Sequence, residues 1–390
     1  MIGLVTLAVA ALLARVGLTM YVAGLARAKN SAGTVLRVVA DLGVASLAVY
    51  VVGAALVTQS PDRPVWQSFE HLYARTGAWV GVVAAFVLLA PIASGIVVGA
   101  VGERSRFGVV LAASGVLGAV VVPLLGAWMT SGWLGRRLHF VDATGAAWLH
   151  VAGGAVALVL ARAVGPRDNK YHRDGSASVI PGHSVPLAGV GSVLLSAGLI
   201  ACASGGDSGP LAPLLTVAAG VVASLALSAV WFGKPDVLFV LTGMLGAAVA
   251  AAGGATQMAP ILAVLTGAVA GVIVPAAAVK IDLLLHIDDP AGSVAIHLVG
   301  GAWGTLAAGL FCPGRTFGEW IAGVGVQVLG LAVALVVAGG AGFAVAAALK
   351  GRLRSSEADE FDGLDLAEHD VGAYPDFQQN TIRSYHLREA

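Results

Sequence analysis

Charge is scarce in this chain. Asp, Glu, Lys and Arg make up 11% of its 390 residues, against about 25% in an ordinary soluble domain. Hydrophobic residues make up 58%, and that imbalance excludes a conventional soluble fold. Nine of the 22 acidic residues fall after residue 350, leaving 13 for everything before it. Aromatics are few, at 6%, while glycines number 53; small residues suit close packing between helices in a membrane. The number and spacing of the two cysteines, Cys202 and Cys312, do not suggest a metal site and do not decide a disulfide. The formal net charge is zero, so the basic balance that nucleic acid calls for is missing. Also missing are the phosphate-binding G-x-x-x-x-G-K-[ST] loop, the G-x-S-x-G elbow and H-E-x-x-H. Nothing therefore supports ATP hydrolysis or metalloprotease chemistry, and no enzyme, cofactor or metal is expected.

What the chain has instead is apolar length. Runs of about 20 apolar residues, enough to cross a hydrocarbon core, recur throughout. Eleven transmembrane helices are expected, at residues 2–26, 36–58, 77–101, 107–130, 143–165, 184–205, 211–232, 236–255, 258–280, 290–312 and 319–350. The first holds Arg15 and continues into Arg27 and Lys29, so it reads as a retained helix rather than a cleaved signal. An odd number of spans puts the termini on opposite sides, and positive charge sets the direction. Loops after odd spans carry Arg27, Lys29, Arg104, Arg106, Arg167, Lys170, Arg173 and Lys234. Loops after even spans carry only Arg63, Arg75, Arg136, Arg137 and Arg315. The N-terminus is expected outside and the C-terminus in the cytoplasm. Residues 1–350 then form an all-α membrane domain. Residues 351–390 form an acidic cytoplasmic tail, too polar to span and too rich in Leu, Phe and Tyr for a plain linker.

Two stretches nearly repeat each other. One reads D-A-T-G-A-A-W-L-H-V-A-G-G-A from Asp142, the other D-P-A-G-S-V-A-I-H-L-V-G-G-A from Asp289. Both fit D-x-x-G-x(4)-H-x-x-G-G-A. Eight residues of helix rise about 12 Å, so an acid at the surface of a core about 30 Å thick puts its histidine near the middle. In the expected topology the first stretch runs inward and the second outward. His150 and His297 then reach similar depths from opposite faces. Spans one to five and six to ten become two inverted five-helix repeats, followed by a final long helix, with the working site at their interface. An imidazole in hydrocarbon needs a partner, and two at one depth can serve each other. Sharing one proton, the pair offers a donor on one side and an acceptor on the other. That suits a small neutral polar molecule or a proton passed along; a purely structural pair is the alternative. The Gly-Gly pairs share each histidine's face and allow close helix packing.

Other residues stand out less. Asp142 and Asp289 precede helix starts and read as N-caps, Asp289 with Pro290 behind it. Asp142 would also shape the outer entrance. Trp128, Trp133, Trp148 and Trp303 are candidates for an aromatic lining. Trp128 and Trp133 lie near the outer end of span four, where an indole face attracts a cation or belongs to the interfacial belt. Arg15 and Asp41 are intramembrane charges at similar depths on consecutive spans, and read as a structural ion pair. Glu103, Arg104 and Arg106 read as solvated or interhelical charges of a short cytoplasmic turn. His71, His139, His172, His183, His286, His369 and His386 fall in loops or the tail and read as non-catalytic.

Several of these stretches together carry a resemblance. A-G-L-A-R-A-K-N (23–30), G-E-R-S-R-F (102–107), D-A-T-G-A-A-W-L-H (142–150), I-D-D-P-A-G-S-V-A-I-H-L-V-G-G-A-W-G-T (287–305) and G-L-D-L-A-E-H-D-V-G-A-Y (363–374) occur in this order. They resemble the Amt/Rh ammonium transporters, the Amt branch in particular, over nearly the whole chain. The resemblance implies an ammonium transporter fold and a homotrimer in the cell (inner) membrane, with one pore per protomer. It implies PII-type signal proteins as partners at the cytoplasmic face. Ammonium would be recruited at an outer vestibule and deprotonated, and ammonia would cross a hydrophobic pore lined by twin histidines, here His150 and His297. Asp142 matches the family's helix-starting acid, and Trp128 is the vestibule candidate. The family also carries a gate of two stacked phenylalanines, and here the chain departs. Counting from G-E-R-S-R-F puts Leu89 at the first gate position. The segment G-L-I-A-C-A-S-G-G puts Ala201 at the second and Gly205 at the recruiting serine.

The expected function is transmembrane transport of ammonium or ammonia. The altered gate leaves two alternatives: a non-transporting ammonium sensor that signals through its tail, and a channel for another small neutral molecule such as carbon dioxide or methylamine.

Overall fold

A computed structural model describes residues 2–58, 79–204, 209–311 and 316–374. Gly205 and Cys312 lie outside the described residues, as do His71, His386, Arg63, Arg75 and Arg315. Among the described residues, eleven apolar helices follow one another. They are α1 Ile2–Leu25, α2 Ala28–Thr58, α3 Trp79–Val101, α4 Phe107–Arg137, α5 Ala146–Val164 and α6 Val185–Ala203, then α7 Leu211–Phe232, α8 Val237–Ala251, α9 Pro260–Leu283, α10 Ala295–Leu310 and α11 Phe317–Ala348. Nine are long and apolar enough to span a membrane, while α8 and α10 are shorter. The described residues contain no strand, only two isolated bridges.

The packing is a repeat turned over. Helix α2 lies against α3 and α4 as α7 lies against α8 and α9. Helix α3 contacts α1 and α5 as α8 contacts α6 and α10. Helices α1 and α6 meet each other, and α11 packs on both α5 and α10. Glycine makes the α1–α6 contact close: a Cβ at Gly17 would collide with the backbone of Leu195, and one at Gly198 with that of Ala14. Lipid is as apolar as the core, so such contact depends on fit rather than on exclusion of water. Val5, Val9, Leu12 and Val16 accordingly stand exposed on the outward side of α1.

Helix α2 begins at Ala28, eight residues before the expected start, and Arg37 within it is fully buried. Its partner comes from the tail. There, two short helices, α12 Glu357–Asp362 and α13 Leu364–His369, dock on one face of the bundle. Glu368 accepts from Arg37. The Asp365 carboxylate accepts the Ala32 and Gly33 N–H groups at 2.9 and 2.6 Å, satisfying the exposed start of α2. Lys29 donates to the carbonyls of Glu360 and Phe361.

Beneath the tail lies a buried chain of alternating charge. Arg167 donates to Asp288 from Nε at 2.8 Å and Nη2 at 2.9 Å, and to Glu103 at 2.6 Å. Glu103 also accepts from Arg27 and Asn30. Arg104, with no exposed surface, donates to the carbonyls of Ala100, Gly165 and Asp288. The charges at Glu103 and Arg104 are therefore interhelical, not solvated: each finds a partner on another element at this face. Burial alone would raise the Asp288 carboxyl. The Arg167 hydrogen bonds and the Arg104 and Arg167 charges outweigh it and hold Asp288 at about 2, below its ordinary 3.8.

Two outcomes follow for the purified protein. Asp288→Ala leaves Arg167 buried without its main acceptor and is expected to cost about 3–5 kcal/mol, seen as a lower melting temperature. Because the folded-state value of Asp288 is depressed, its contribution is full above the ordinary 3.8 and is lost as pH falls through about 2. Melting curves across that window should converge for wild type and Asp288→Ala; parallel curves would remove Asp288 as the titrating group.

Candidate functional site

The two matching stretches fold into the same device, and each motif position has a physical task. The acid caps. Asp142 accepts the N–H groups of Gly145, Ala146, Ala147 and Trp148 at 2.7–3.2 Å. Asp289 accepts that of Val294 at 2.6 Å. The glycine three residues after each acid has positive φ, +104° at Gly145 and +62° at Gly292, a turn that side chains disfavour. Burial pushes both Asp142 and Asp289 up to about 7, against the backbone N–H groups that pull them down.

Each histidine then sits on a π-helical turn, Ala146–Val151 for His150 and Ala295–Val299 for His297. Such wide turns are uncommon and recur at functional sites. Helix α5 ends, and α10 begins, at the face where the tail docks, through Arg167 and Asp288. The two helices therefore run in opposite directions and bring their histidines to one depth. The rings lie nearly parallel, 12° apart with centroids at 5.1 Å. Nδ1 of His150 and Nδ1 of His297 are 3.0 Å apart, and both residues are buried.

One proton must lie between those nitrogens. The donating ring then carries a bare Nε2, and the accepting ring carries Nε2–H. The pair presents one acceptor and one donor to whatever passes along it, without net charge. The polarity of both outer nitrogens reverses when the bare Nε2 takes up a proton, the shared proton crosses, and the other Nε2 releases one.

The Gly-Gly pairs hold the two rings together. A Cβ at Gly154 would stand 2.7 Å from the Leu298 nitrogen beside His297, and one at Gly301 would stand 2.5 Å from the Ala146 carbonyl oxygen on the His150 turn. The first glycine of each pair faces the equivalent helix of its own repeat. Gly153 faces Ala93 of α3, with 2.5 Å to its oxygen, and Gly300 faces Gly246 of α8, with 3.0 Å. Larger residues here would drive the histidine helices apart.

Trp128 is half-buried and packs edge-to-face on Trp133 at 6.3 Å, beside Arg136 and Arg137 in one recess at the end of the bundle away from the tail. Trp148, two residues before His150, points to another side of the turn and packs on Phe86 at 5.3 Å. Trp303 donates to the Thr266 carbonyl at 2.8 Å. Leu89 is buried in α3, whereas Ala201 is exposed near the end of α6. Phe86, which packs on the Trp148 ring, went unread because a lone aromatic in an apolar run carries no signal of its own. Gln327 also went unread. It is buried in α11, accepts the Val141 N–H at 3.3 Å and donates to the Val141 carbonyl at 2.7 Å, fixing the segment that carries Asp142. A lone amide inside an apolar span was the available signal.

Comparison with known proteins bears on this arrangement. Residues 2–374 match the model of the Ammonium Transporter Family. The chain is 32% identical to "Ammonium transporter Amt1" of Haloferax mediterranei, covering 93% of this chain and 76% of that protein. It is 30% identical to "Ammonium transporter Amt2" of Archaeoglobus fulgidus, covering 93% and 85%. Among solved structures, "Sensor Amt Protein" superposes with a TM-score of 0.87 at 27% identity, over 94% of this chain and 97% of the other. The Rh50 protein of Nitrosomonas europaea shares the fold, with a TM-score of 0.75 at 18% identity over 100% and 97%.

Removing the Asp142 carboxylate strands four buried N–H groups at the start of the His150 turn. Asp142→Ala is expected to cost about 2 kcal/mol, the upper end of N-cap losses, with Asp142→Asn retaining part of it. Thermal melting in detergent measures this; an Ala variant as stable as wild type would deny Asp142 its anchoring role.

Proposed function

The chain belongs to the ammonium transporter family, and from that premise we propose that ammonium crosses each protomer along the His150–His297 pair. It is a multi-pass membrane protein and a transporter, not an enzyme. One solved neighbour is named a sensor, but the archaeal relatives at 30–32% identity are named ammonium transporters, and they favour transport over sensing.

The observation that carries the mechanism is the 3.0 Å contact between two buried Nδ1 atoms. An ammonium ion is costly in hydrocarbon. Giving up one proton at the entrance, to be carried across by relay along the pair, leaves neutral ammonia, which needs one acceptor and one donor along its path. The paired imidazoles offer that combination on their Nε2 atoms, and the shared proton lets the pair relay a proton as well. Asp142 anchors the His150 turn and lies at the entrance. Trp128, beside Trp133, offers an aromatic face there. Leu89, Ala201 and Gly205 remain the gate positions of this reading.

The orientation has the tail in the cytoplasm and the N-terminus outside, in the cell (inner) membrane. Arg27, Lys29, Arg104, Arg167 and Lys170 gather at the tail's face, which supports this direction. The domain division is residues 1–350 for the bundle and 351–390 for the cytoplasmic tail. The assembly is a homotrimer with one pore per protomer, and a PII-type signal protein is the partner of the cytoplasmic face.

Ammonium-evoked current on proteoliposomes tests the mechanism. Wild type is expected to give a saturable current. The His150→Ala/His297→Ala double variant should lose it by about a hundredfold or more, the lower end for a group engaged in proton transfer. A saturable current of equal size in the double variant, at equal protein, would refute transport through the pair.

A further inference from the structure

One buried charge pair belongs to no part of the site described above. Arg15 of α1 and Asp41 of α2 meet at 2.7 Å, with side chains 5% and 0% exposed. Arg15 lies ten residues before the end of α1, about 15 Å inside the bundle. Charge at that depth is expensive, and a buried pair is seldom more stabilising than two apolar side chains of similar size. Stability by itself therefore gives no reason for the pair.

Its hydrogen bonds lead to a third helix. Arg15 Nη1 donates to the Pro91 carbonyl in α3, and Nη2 to the Val38 carbonyl at 2.6 Å. Pro91 lies inside α3. A proline there removes one bond of the helical ladder and bends the helix. The carbonyl that loses its partner is that of Val87, and Ser46 of α2 donates to it at 3.2 Å. Ser114 of α4 holds Asp41 from the other side at 2.7 Å. Gly95, one turn past the proline, admits the guanidinium, because a Cβ there would collide with Arg15 Nη1. Four helices are thus joined at one bend.

Pro91 divides α3 into two parts with different contacts. Before it stand Phe86, packed on Trp148, and Leu89, the expected gate position. After it stands Ala93, whose carbonyl meets Gly153 one turn beyond His150. The angle at Pro91 sets where Leu89 stands relative to His150. We propose that Arg15 and Asp41 are positioning residues that fix the bend of α3 at Pro91, and so set the aperture that Leu89 presents at the histidine pair. The functional consequence rests on the transport reading; the bend does not.

Two full-length variants test this. Gly95→Ala displaces the guanidinium while keeping both charges. Arg15→Leu/Asp41→Leu removes both charges together, leaving neither unpaired. Whichever elutes as monodisperse protein is carried forward into proteoliposomes. One readout is the ratio of methylammonium to ammonium flux, which a loss of folded protein would not move. The other is the rate at which a water-soluble methanethiosulfonate modifies Leu89→Cys in a Cys202→Ala/Cys312→Ala background. Each is expected to change by about tenfold or more, the lower end of what one methylene commands in a selective pocket. An unchanged modification rate overturns the proposal whatever the flux. So does an unchanged flux ratio in protein that transports. If wild type passes neither amine, the transport reading fails, and the modification rate alone decides whether the pair sets the bend.

Discussion

Two imidazoles in an apolar interior are stable only if each supplies what water would have supplied. Here each serves the other, and the 3.0 Å contact between their Nδ1 atoms dictates much of the surrounding structure. To touch, the histidines must reach one depth on helices that enter from opposite faces. Those helices must approach closely, which Gly154 and Gly301 allow. Each must start at a fixed place, which the Asp142 and Asp289 carboxylates and the left-handed Gly145 and Gly292 secure. The repeated motif is the set of conditions under which two rings on opposed helices can share a proton.

The two ends of the bundle hold these helices differently. At the end away from the tail, the start of α5 relies on one carboxylate and on Gln327, which grips the peptide of Val141. At the tail's face, the end of α5 and the start of α10 are tied to each other and to α1 and α3 through Arg167, Asp288, Glu103 and Arg27. Glu360 of the tail joins the same network by accepting from Arg354 and from the Asp168 N–H. A change in how the tail sits is therefore transmitted to charges one residue away from the cap of the His297 helix.

Much of this was legible in the chain. Eleven apolar runs gave the helix count, and the surplus of Lys and Arg after odd spans collected the residues that gather at the tail's face. The Asp-to-His spacing, read with helix rise, put His150 and His297 at one depth. Arg15 and Asp41, as lone opposite charges on consecutive apolar spans, announced a pair. Other features left no such trace. The π-helical turns under both histidines have no composition signal, since they depend on how Ala146–Val151 and Ala295–Val299 are held at both ends. Arg37, inside the expected second span, gave no hint of its partner because its acceptor, Glu368, lies 331 positions away. Glu103 and Arg104 left solvated and interhelical roles open, because their partners lie on other segments of the chain.

The division follows from range. Periodicity, length and charge balance are local properties of a chain in a membrane, where each span must satisfy its own backbone, so the sequence by itself determined the helices, their alternation and the depth of the two histidines. Which atoms meet is a property of separate segments brought together. Only the tertiary structure decided that the rings meet through Nδ1, that Arg15 reaches past Asp41 to the carbonyl of Pro91, and that Gly95 leaves room for it. Those contacts rest on tenths of an ångström between helices far apart in sequence, a scale at which spacing along one helix carries no information about its neighbour.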